Sequence, residues 1–268
     1  MTLITKDLAP RIGTQVMTDA QTLVSGKVSA EIRTLLHQRG VVLFRDIHLT
    51  DEQQVEFART LGEIDQGIYK VTFDRKENPQ HAGILNPTHS WHIDRVDCDV
   101  PTLGSILSPR VLSPIGGQTE FASTYAAYED LPQDEREFLD TLRIIHTIEA
   151  SFREVQNPTE EEIEFWRRFQ PKAQPIVWRH RSGRKSLAIG ISACKVVGMD
   201  DEAGAALLDR LMKWSTQPQY VYRHEWRMGD MLMWDNTGTM HRVLSFDHSC
   251  GRRLHRTTLK GVESLSLA

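Results

Sequence analysis

Apolar positions along the chain repeat with two different periods, and the switches between them outline the elements. From Ala30 to Gln38, Ile32, Leu35 and Leu36 fall at helical spacing. The pattern runs into Gly40-Val41-Val42-Leu43-Phe44, an apolar run of strand length suited to a buried strand. Thr50-Asp51-Glu52-Gln53 has the form of a capping box and predicts a second helix, with Val55, Phe57, Ala58 and Leu61 facing inward and Gly62 at its end. Residues 64–90 lose this regularity in Gly, Pro, Asn and scattered charges, and read as a long loop or lid, a kind of segment that is usually functional.

Periodicity returns at Leu103 to Leu112, a strand bounded by Pro101 and Pro114. Ser123 to Leu142 reads mainly as helix, with Pro132 near a helix start. Asp200 to Trp214 is the clearest amphipathic helix, with Ala203, Ala206, Leu207, Leu211 and Trp214 on one side. Tyr220 to Trp226, Met231 to Trp234 and His255 to Leu259 read as strands separated by Gly229-Asp230 and other turn signals. Strands dominate the middle and the end of the chain. The expectation is a mainly β fold with flanking helices, a β-sandwich in one domain over residues 1–268, without internal repeats.

Composition narrows the function classes. A chain of 268 residues buries one sizeable core, and 40% hydrophobic with 25% charged residues argues against global disorder. A net charge of −4 gives no overall attraction to nucleic acid or to an anionic membrane, so any anion site must be a local cluster of Arg or Lys. No segment approaches the length of a transmembrane helix. The N-terminus lacks the apolar core and cleavage signature of a signal peptide, which makes the cytoplasm the expected location. Cys98, Cys194 and Cys250 are odd in number and widely spaced, with no CxxC pair, so they predict reduced thiols and exclude a zinc ribbon or a disulfide framework.

Candidate chemistry begins at Trp91-His92-Ile93-Asp94. Alternate residues of a strand share a face, so His92 and Asp94 can offer an imidazole nitrogen and a carboxylate oxygen to one point. A third ligand must come from elsewhere, and His241 in Met240-His241-Arg242 is the best candidate, following the strand-like Met231 to Trp234. Two His and one carboxylate form the facial triad of Fe(II) oxygenases, with coordination positions left open. An HxD pair alone is a weak signal; the basic residues that follow strengthen it. In Gly251-Arg252-Arg253-Leu254-His255-Arg256, Arg252 and Arg256 share a strand face with Leu254 between them. Inward arginines are costly to bury without anionic partners, and the guanidinium fork matches a carboxylate. Two of them imply two anionic groups. Thr119, after the turn Gly116-Gly117-Gln118, can donate a hydroxyl hydrogen bond to a carboxylate.

With these residues in place, the chain resembles the taurine dioxygenase family of Fe(II)/2-oxoglutarate oxygenases, and within it the 2,4-dichlorophenoxyacetate (aryloxyalkanoate) dioxygenase branch. The resemblance runs from Val41-Val42-Leu43-Phe44-Arg45 to Thr257-Thr258-Leu259. It is most specific at Gly117-Gln118-Thr119-Glu120-Phe121, at Tyr220-Val221-Tyr222-Arg223-His224, and from Gly229-Asp230-Met231-Leu232-Met233-Trp234-Asp235-Asn236 to Met240-His241-Arg242. It implies a double-stranded β-helix, the jelly-roll core shared with cupins. It implies His92, Asp94 and His241 as iron ligands, Arg252 and Thr119 on the distal carboxylate of 2-oxoglutarate, and Arg256 on the anionic group of the substrate. Lys70, in Gly67-Ile68-Tyr69-Lys70-Val71, sits where the phenoxyacetate branch also has a lysine and would help to neutralise a substrate carboxylate. Phe73 to Asn86 departs from the family pattern, and Asn86-Pro87-Thr88-His89-Ser90 reads as a polar loop.

The implied cofactors are Fe(II), 2-oxoglutarate as co-substrate and O2, with succinate and CO2 released as a substrate C–H is hydroxylated. Hydroxylation beside an ether oxygen would give an unstable hemiacetal and cleave the ether. The expected partner is a small anionic molecule, with neither nucleic acid nor membrane; assembly into a homo-oligomer is left open. The alternatives are the same chemistry on a sulfonate, a sulfate ester or another small acid, a non-catalytic cupin-like binding protein, and a zinc hydrolase, which would leave Arg252 unexplained.

Overall fold

A computed structural model describes residues 3–79, 82, 85–152 and 158–265. Its large sheet has seven strands in the spatial order Ile4–Asp7, Thr14–Met17, Val41–Phe44, Met231–Asp235, Gly104–Val111, Arg253–Leu259 and Ile64–Val71. Thr14–Met17 and Val41–Phe44 pair in parallel; the other neighbours are antiparallel. A second sheet, Val221–His224, Thr119–Ser123 and Thr239–Val243, closes the sandwich.

The all-apolar runs follow from this layering. Strands whose two faces are both covered have no reason to alternate with polar residues. In Met231–Asp235, Leu232 and Trp234 point between the sheets and pack with Phe121, Val41, Leu43 and Leu254. Met231 and Met233 point the other way, into a cluster with Val42, Phe44, Ile32, Leu36, Phe57 and Ala58. That outer layer is the pair of helices Ser29–Arg39 and Asp51–Leu61. The second helix opens with the expected capping box, in which Thr50 Oγ1 accepts from Gln53 N–H and the Gln53 side chain accepts from Thr50 N–H.

The fourth inward position of this helix is Gln54, fully buried, rather than the half-buried Val55. Its amide donates to His255 O (3.2 Å) and Thr257 Oγ1 (3.1 Å) and accepts from Ser108 Oγ (2.5 Å), tying the helix to two strands of the large sheet. Gln54→Leu is expected to lower stability by about 1–3 kcal/mol, because three polar partners lose their hydrogen bonds in a dry interface. Urea melts with an unchanged m-value would measure it.

Three expectations change. Residues 64–71 are not loop but the edge strand Ile64–Val71. This strand has a single neighbour, and register shifts between Arg256 and Thr258 and between Thr258 and Leu259 break its alternation, so the sequence shows no clean period. Ser123 to Leu142 is two helices, Thr124–Glu129 and Gln133–Leu139, with Pro132 capping the second. The late helix Asp201–Ser215 buries Gly204, Leu207, Leu211 and Ser215, while Ala203 and Ala206 face solvent. Gly204 lies against the Val196 side chain, where a Cβ would make ordinary 3.5 Å contact. The short strands Arg143–His146, Lys172–Pro175 and Ala193–Val196 form a small outlying sheet that periodicity did not show. All three cysteines are free thiols. Among the described residues no helix is long and apolar enough to cross a membrane.

Candidate metal centre and its two cavities

Thr239–Val243 is the outer strand of the small sheet, and the HxD segment docks on its free edge. His92 and His241 exchange backbone hydrogen bonds, His92 N–H to His241 O at 3.1 Å and His241 N–H to His92 O at 2.9 Å. The segment is one bridge followed by a turn rather than the strand expected, and Asp94 opens that turn. Asn236, fully buried, fixes it there. Its Oδ1 accepts from Asp94 N–H (2.9 Å), and its Nδ2 donates to Asp94 O (2.9 Å) and Thr102 O (3.0 Å). Gly190 backs the neighbouring His92, in a backbone conformation (φ 153°) where a Cβ would approach His92 Cα to 3.2 Å.

The three side chains converge as the spacing predicted. Donor atoms of His92, Asp94 and His241 all lie within 4.8 Å of one another. His92 Nδ1 donates to Ser90 O (2.9 Å), which leaves Nε2 as a lone-pair donor. His92 Nε2 stands 3.7 Å from Asp94 Oδ1, and His241 Nε2 stands 3.7 Å from Asp94 Oδ2. These gaps are too long for hydrogen bonds, so the atoms face one point without satisfying each other. Burial, reinforced by the neighbouring His92 imidazole, holds His241 well below its ordinary pKa, in the neutral form that ligates a metal. Burial alone would raise Asp94, but Arg256 and the two imidazoles outweigh it and hold the carboxyl down at about 2. Two imidazoles and an ionised carboxylate suit Fe(II).

Two cavities meet at this centre. The first, about 60 Å³, is lined by Thr119, Leu107, Trp234, Phe73, Phe246 and Arg252 beside the histidines. Arg252 is 6% exposed and lies over the Phe246 ring, 4.8 Å from its centroid. Its Nη2 donates to Gly117 O (2.9 Å), and among the described residues no carboxylate pairs with it. Burial pushes it down to about 10, the mark of a cation placed where an anion belongs. Thr119 Oγ1 accepts from Trp226 Nε1 (2.9 Å), so its own hydrogen remains to be donated. Gly117 adopts φ 77°, and a Cβ there would lie 2.8 Å from Arg252 Nε. Gly117→Ala should therefore cost roughly 1–2 kcal/mol in backbone strain and displace the guanidinium. A melt and a 2-oxoglutarate titration on this variant are expected to show both losses.

The second cavity, about 480 Å³, is lined by Tyr69, Leu85, Ile93, Ile148, Phe152 and Ile191 along with Arg95, Asp97 and Arg256. Val71, Thr88, His92 and Arg256 line both cavities. Arg256 spends one donor on Asp94 Oδ2 (3.2 Å) and lies 5.4 Å from the Tyr69 ring centroid, while its buried Nε has no hydrogen-bond partner. Arg256 is within Arg253–Leu259 and Arg252 just precedes it, but both reach the sandwich interior with Leu254, as strand alternation required.

Lys70 is the exception. It is exposed, its Nζ donates to Glu77 (2.7 Å), and it lines neither cavity. On an edge strand its neighbours Tyr69 and Val71 face inward, so Lys70 must face out. Sequence reasoning missed Tyr69, Thr88 and the Asn236 clamp. For Asn236 there was a signal, a lone amide closing an apolar strand inside the most specific motif.

The model of a family described as "Taurine catabolism dioxygenase TauD, TfdA family" matches residues 5–258. The chain belongs to this family. An α-ketoglutarate-dependent 2,4-dichlorophenoxyacetate dioxygenase of Burkholderia sp. (strain RASC) is 34% identical to this TauD/TfdA member, over 87% of this chain and 86% of the relative. An α-ketoglutarate-dependent sulfate ester dioxygenase of Pseudomonas putida is 29% identical over 89% of this chain and 88% of the relative. Among solved structures, AAD-2 in complex with Mn(II) and N-oxalylglycine superposes with a TM-score of 0.86 at 32% identity, covering 99% of this chain and 100% of that one. The jelly-roll core expected from the sequence is thus the TauD/TfdA core, and the chemistry is that of a 2-oxoglutarate-dependent iron dioxygenase acting on a small molecule.

Proposed function

We propose that this enzyme hydroxylates a small carboxylate-bearing acid, with aryloxyalkanoates as the first candidates, and that it works as one domain in the cytoplasm. Arg256 carries the reading. It lies where the two cavities meet, beside the carboxylate of the metal cluster, and its buried Nε lacks a partner. Tyr69, Leu85, Ile93, Ile148, Phe152 and Ile191 give the cavity an apolar and aromatic wall, which suits an acid with a hydrophobic body.

In this reading His92, Asp94 and His241 hold the iron. Arg252 and Thr119 hold the far carboxylate of 2-oxoglutarate in the first cavity, and Arg256 holds the substrate anion in the second. The bound iron and co-substrate supply oxygen activation, coupled to loss of CO2 and formation of succinate. The chain's own contribution is placement. Asn236 keeps Asp94 on the histidines, Trp226 aims the Thr119 hydroxyl, and the apolar cavity walls exclude water. Lys70 has no part in the site.

Aryloxyacetates, alkyl and aryl sulfonates and sulfate esters should be compared with Fe(II), ascorbate and 2-oxoglutarate. The expected result is succinate release matched by oxidised product for a carboxylate. Coupled turnover of sulfonates or sulfate esters alone would replace the carboxylate with that head group.

A further inference from the structure

Asp97 lines the second cavity together with Arg256, and no function described so far uses it. It lies in the turn that begins at Asp94, and that turn is pinned on both sides. Asn236 clamps Asp94, Cys98 N–H donates to Arg95 O (2.9 Å), and the buried Gln174 side chain donates to Cys98 O (2.8 Å) and Val96 O (3.5 Å). The carboxyl is therefore held in place on a fixed backbone. The guanidinium nearest in sequence is engaged elsewhere, with Arg95 Nη1 donating to Asp65 Oδ2 (2.9 Å). Among the described residues no side chain hydrogen-bonds or ion-pairs with Asp97. Two serines of this wall are engaged: Ser192 Oγ meets His146 Nδ1 (2.8 Å) and Ser151 Oγ donates to Thr147 O (3.5 Å).

A half-buried acceptor on a rigid turn, with Ile93, Ile148, Phe152 and Ile191 on the same cavity wall, loses its water to an occupant and then needs a donor from it. We propose that Asp97 is a specificity-determining residue: the substrate, with its anion on Arg256, also carries a hydrogen-bond donor, a hydroxyl or an N–H, that meets Asp97. Burial pushes the Asp97 carboxyl upward, against its own backbone N–H and Arg95, which agrees with a group awaiting a donor. Purely hydrophobic acids are then poor substrates, since they leave this carboxyl dry and unpaired. The inference rests on the reading of Arg256 as the anion anchor.

The test is a factorial panel. Phenoxyacetates bearing a hydroxyl, an aminomethyl or a methyl group at ring position 3 or 4 are assayed alongside the sulfonate and sulfate-ester analogues of each ring. Wild type, Asp97→Asn and Asp97→Leu are compared for kcat, KM and the ratio of product to succinate. In wild type the donor-bearing compounds should exceed their methyl counterparts by about 10- to 100-fold in kcat/KM, mostly through KM. Asp97→Leu should abolish or invert that ratio. Asp97→Asn should retain it for the hydroxyl and lose it for the ammonium. An unchanged 2-oxoglutarate titration certifies a folded first cavity. A donor-to-methyl ratio that is the same in wild type and Asp97→Leu overturns the inference. The two readings fail separately, because an error in the carboxylate assignment changes which head group is accepted while leaving the donor-to-methyl ratio readable.

Discussion

His241→Ala is expected to abolish 2-oxoglutarate-dependent turnover in a protein that still folds. The imidazole is 7% exposed, packs 4.6 Å from the Trp234 ring centroid, and presents Nε2 toward Asp94. Held neutral by burial, it needs no proton loss to ligate. Alanine leaves one imidazole and one carboxylate, too few donors to hold Fe(II) against water. The loss of metal affinity should exceed the roughly 10–100-fold that removal of an outer-shell partner costs. His92→Ala and Asp94→Ala should match it in activity. Asp94→Ala adds a further defect, since it also frees Arg256 from its carboxylate. Metal content by equilibrium dialysis, succinate release and a circular-dichroism melt are the measurements. Wild-type turnover in His241→Ala would rule out this ligand set.

The two arginines should fail in different ways. Arg252 is buried without a carboxylate in the first cavity, whereas Arg256 sits at the junction with one donor already on Asp94. Truncating either leaves an anion without its charge-assisted hydrogen bonds in a dry pocket, a loss of about 2–5 kcal/mol. Arg252→Ala should weaken 2-oxoglutarate binding with or without substrate. Arg256→Ala should leave that binding nearly intact, raise KM for an acidic substrate, and increase succinate released without product, because the substrate is no longer aimed. Anaerobic titrations that follow the Fe(II) charge-transfer band separate the two. Loss of 2-oxoglutarate affinity in Arg256→Ala alone would reverse the assignments.

What the sequence revealed tracks what generates a local pattern. The capping box at Thr50, the apolar strand Val41–Phe44 and the alternation that puts Arg252, Leu254 and Arg256 inside are all short-range rules, and all were readable. His92, Asp94 and His241 were readable as a set, but what brings them together is not strand alternation: the bridge between His92 and His241 and the Asn236 clamp on Asp94 do so, and neither shows in the spacing. Lys70 failed for the opposite reason. The register of an edge strand is set by a partner far along the chain and by bulges in that pairing, and the residues around Lys70 do not encode it. Tyr69, Thr88 and Asp97 became visible only once the cavities existed, since lining is a property of assembled walls.

The two cavities are built from different kinds of backbone. Thr119, Trp234 and His241 stand on strands paired on both sides or stacked in the core, while the walls of the second cavity come from an edge strand, the turn after Asp94 and the short helix Ile148–Ser151. Val71, Thr88, His92 and Arg256 line both and form the seam between them. Changes in the second cavity that leave those four residues in place therefore spare the centre that activates oxygen. The architecture lets a lineage exchange one acid for another by drift in peripheral segments while the decarboxylating half stays constant, so new substrate ranges are expected to arise there without an intermediate that has lost its oxidising power.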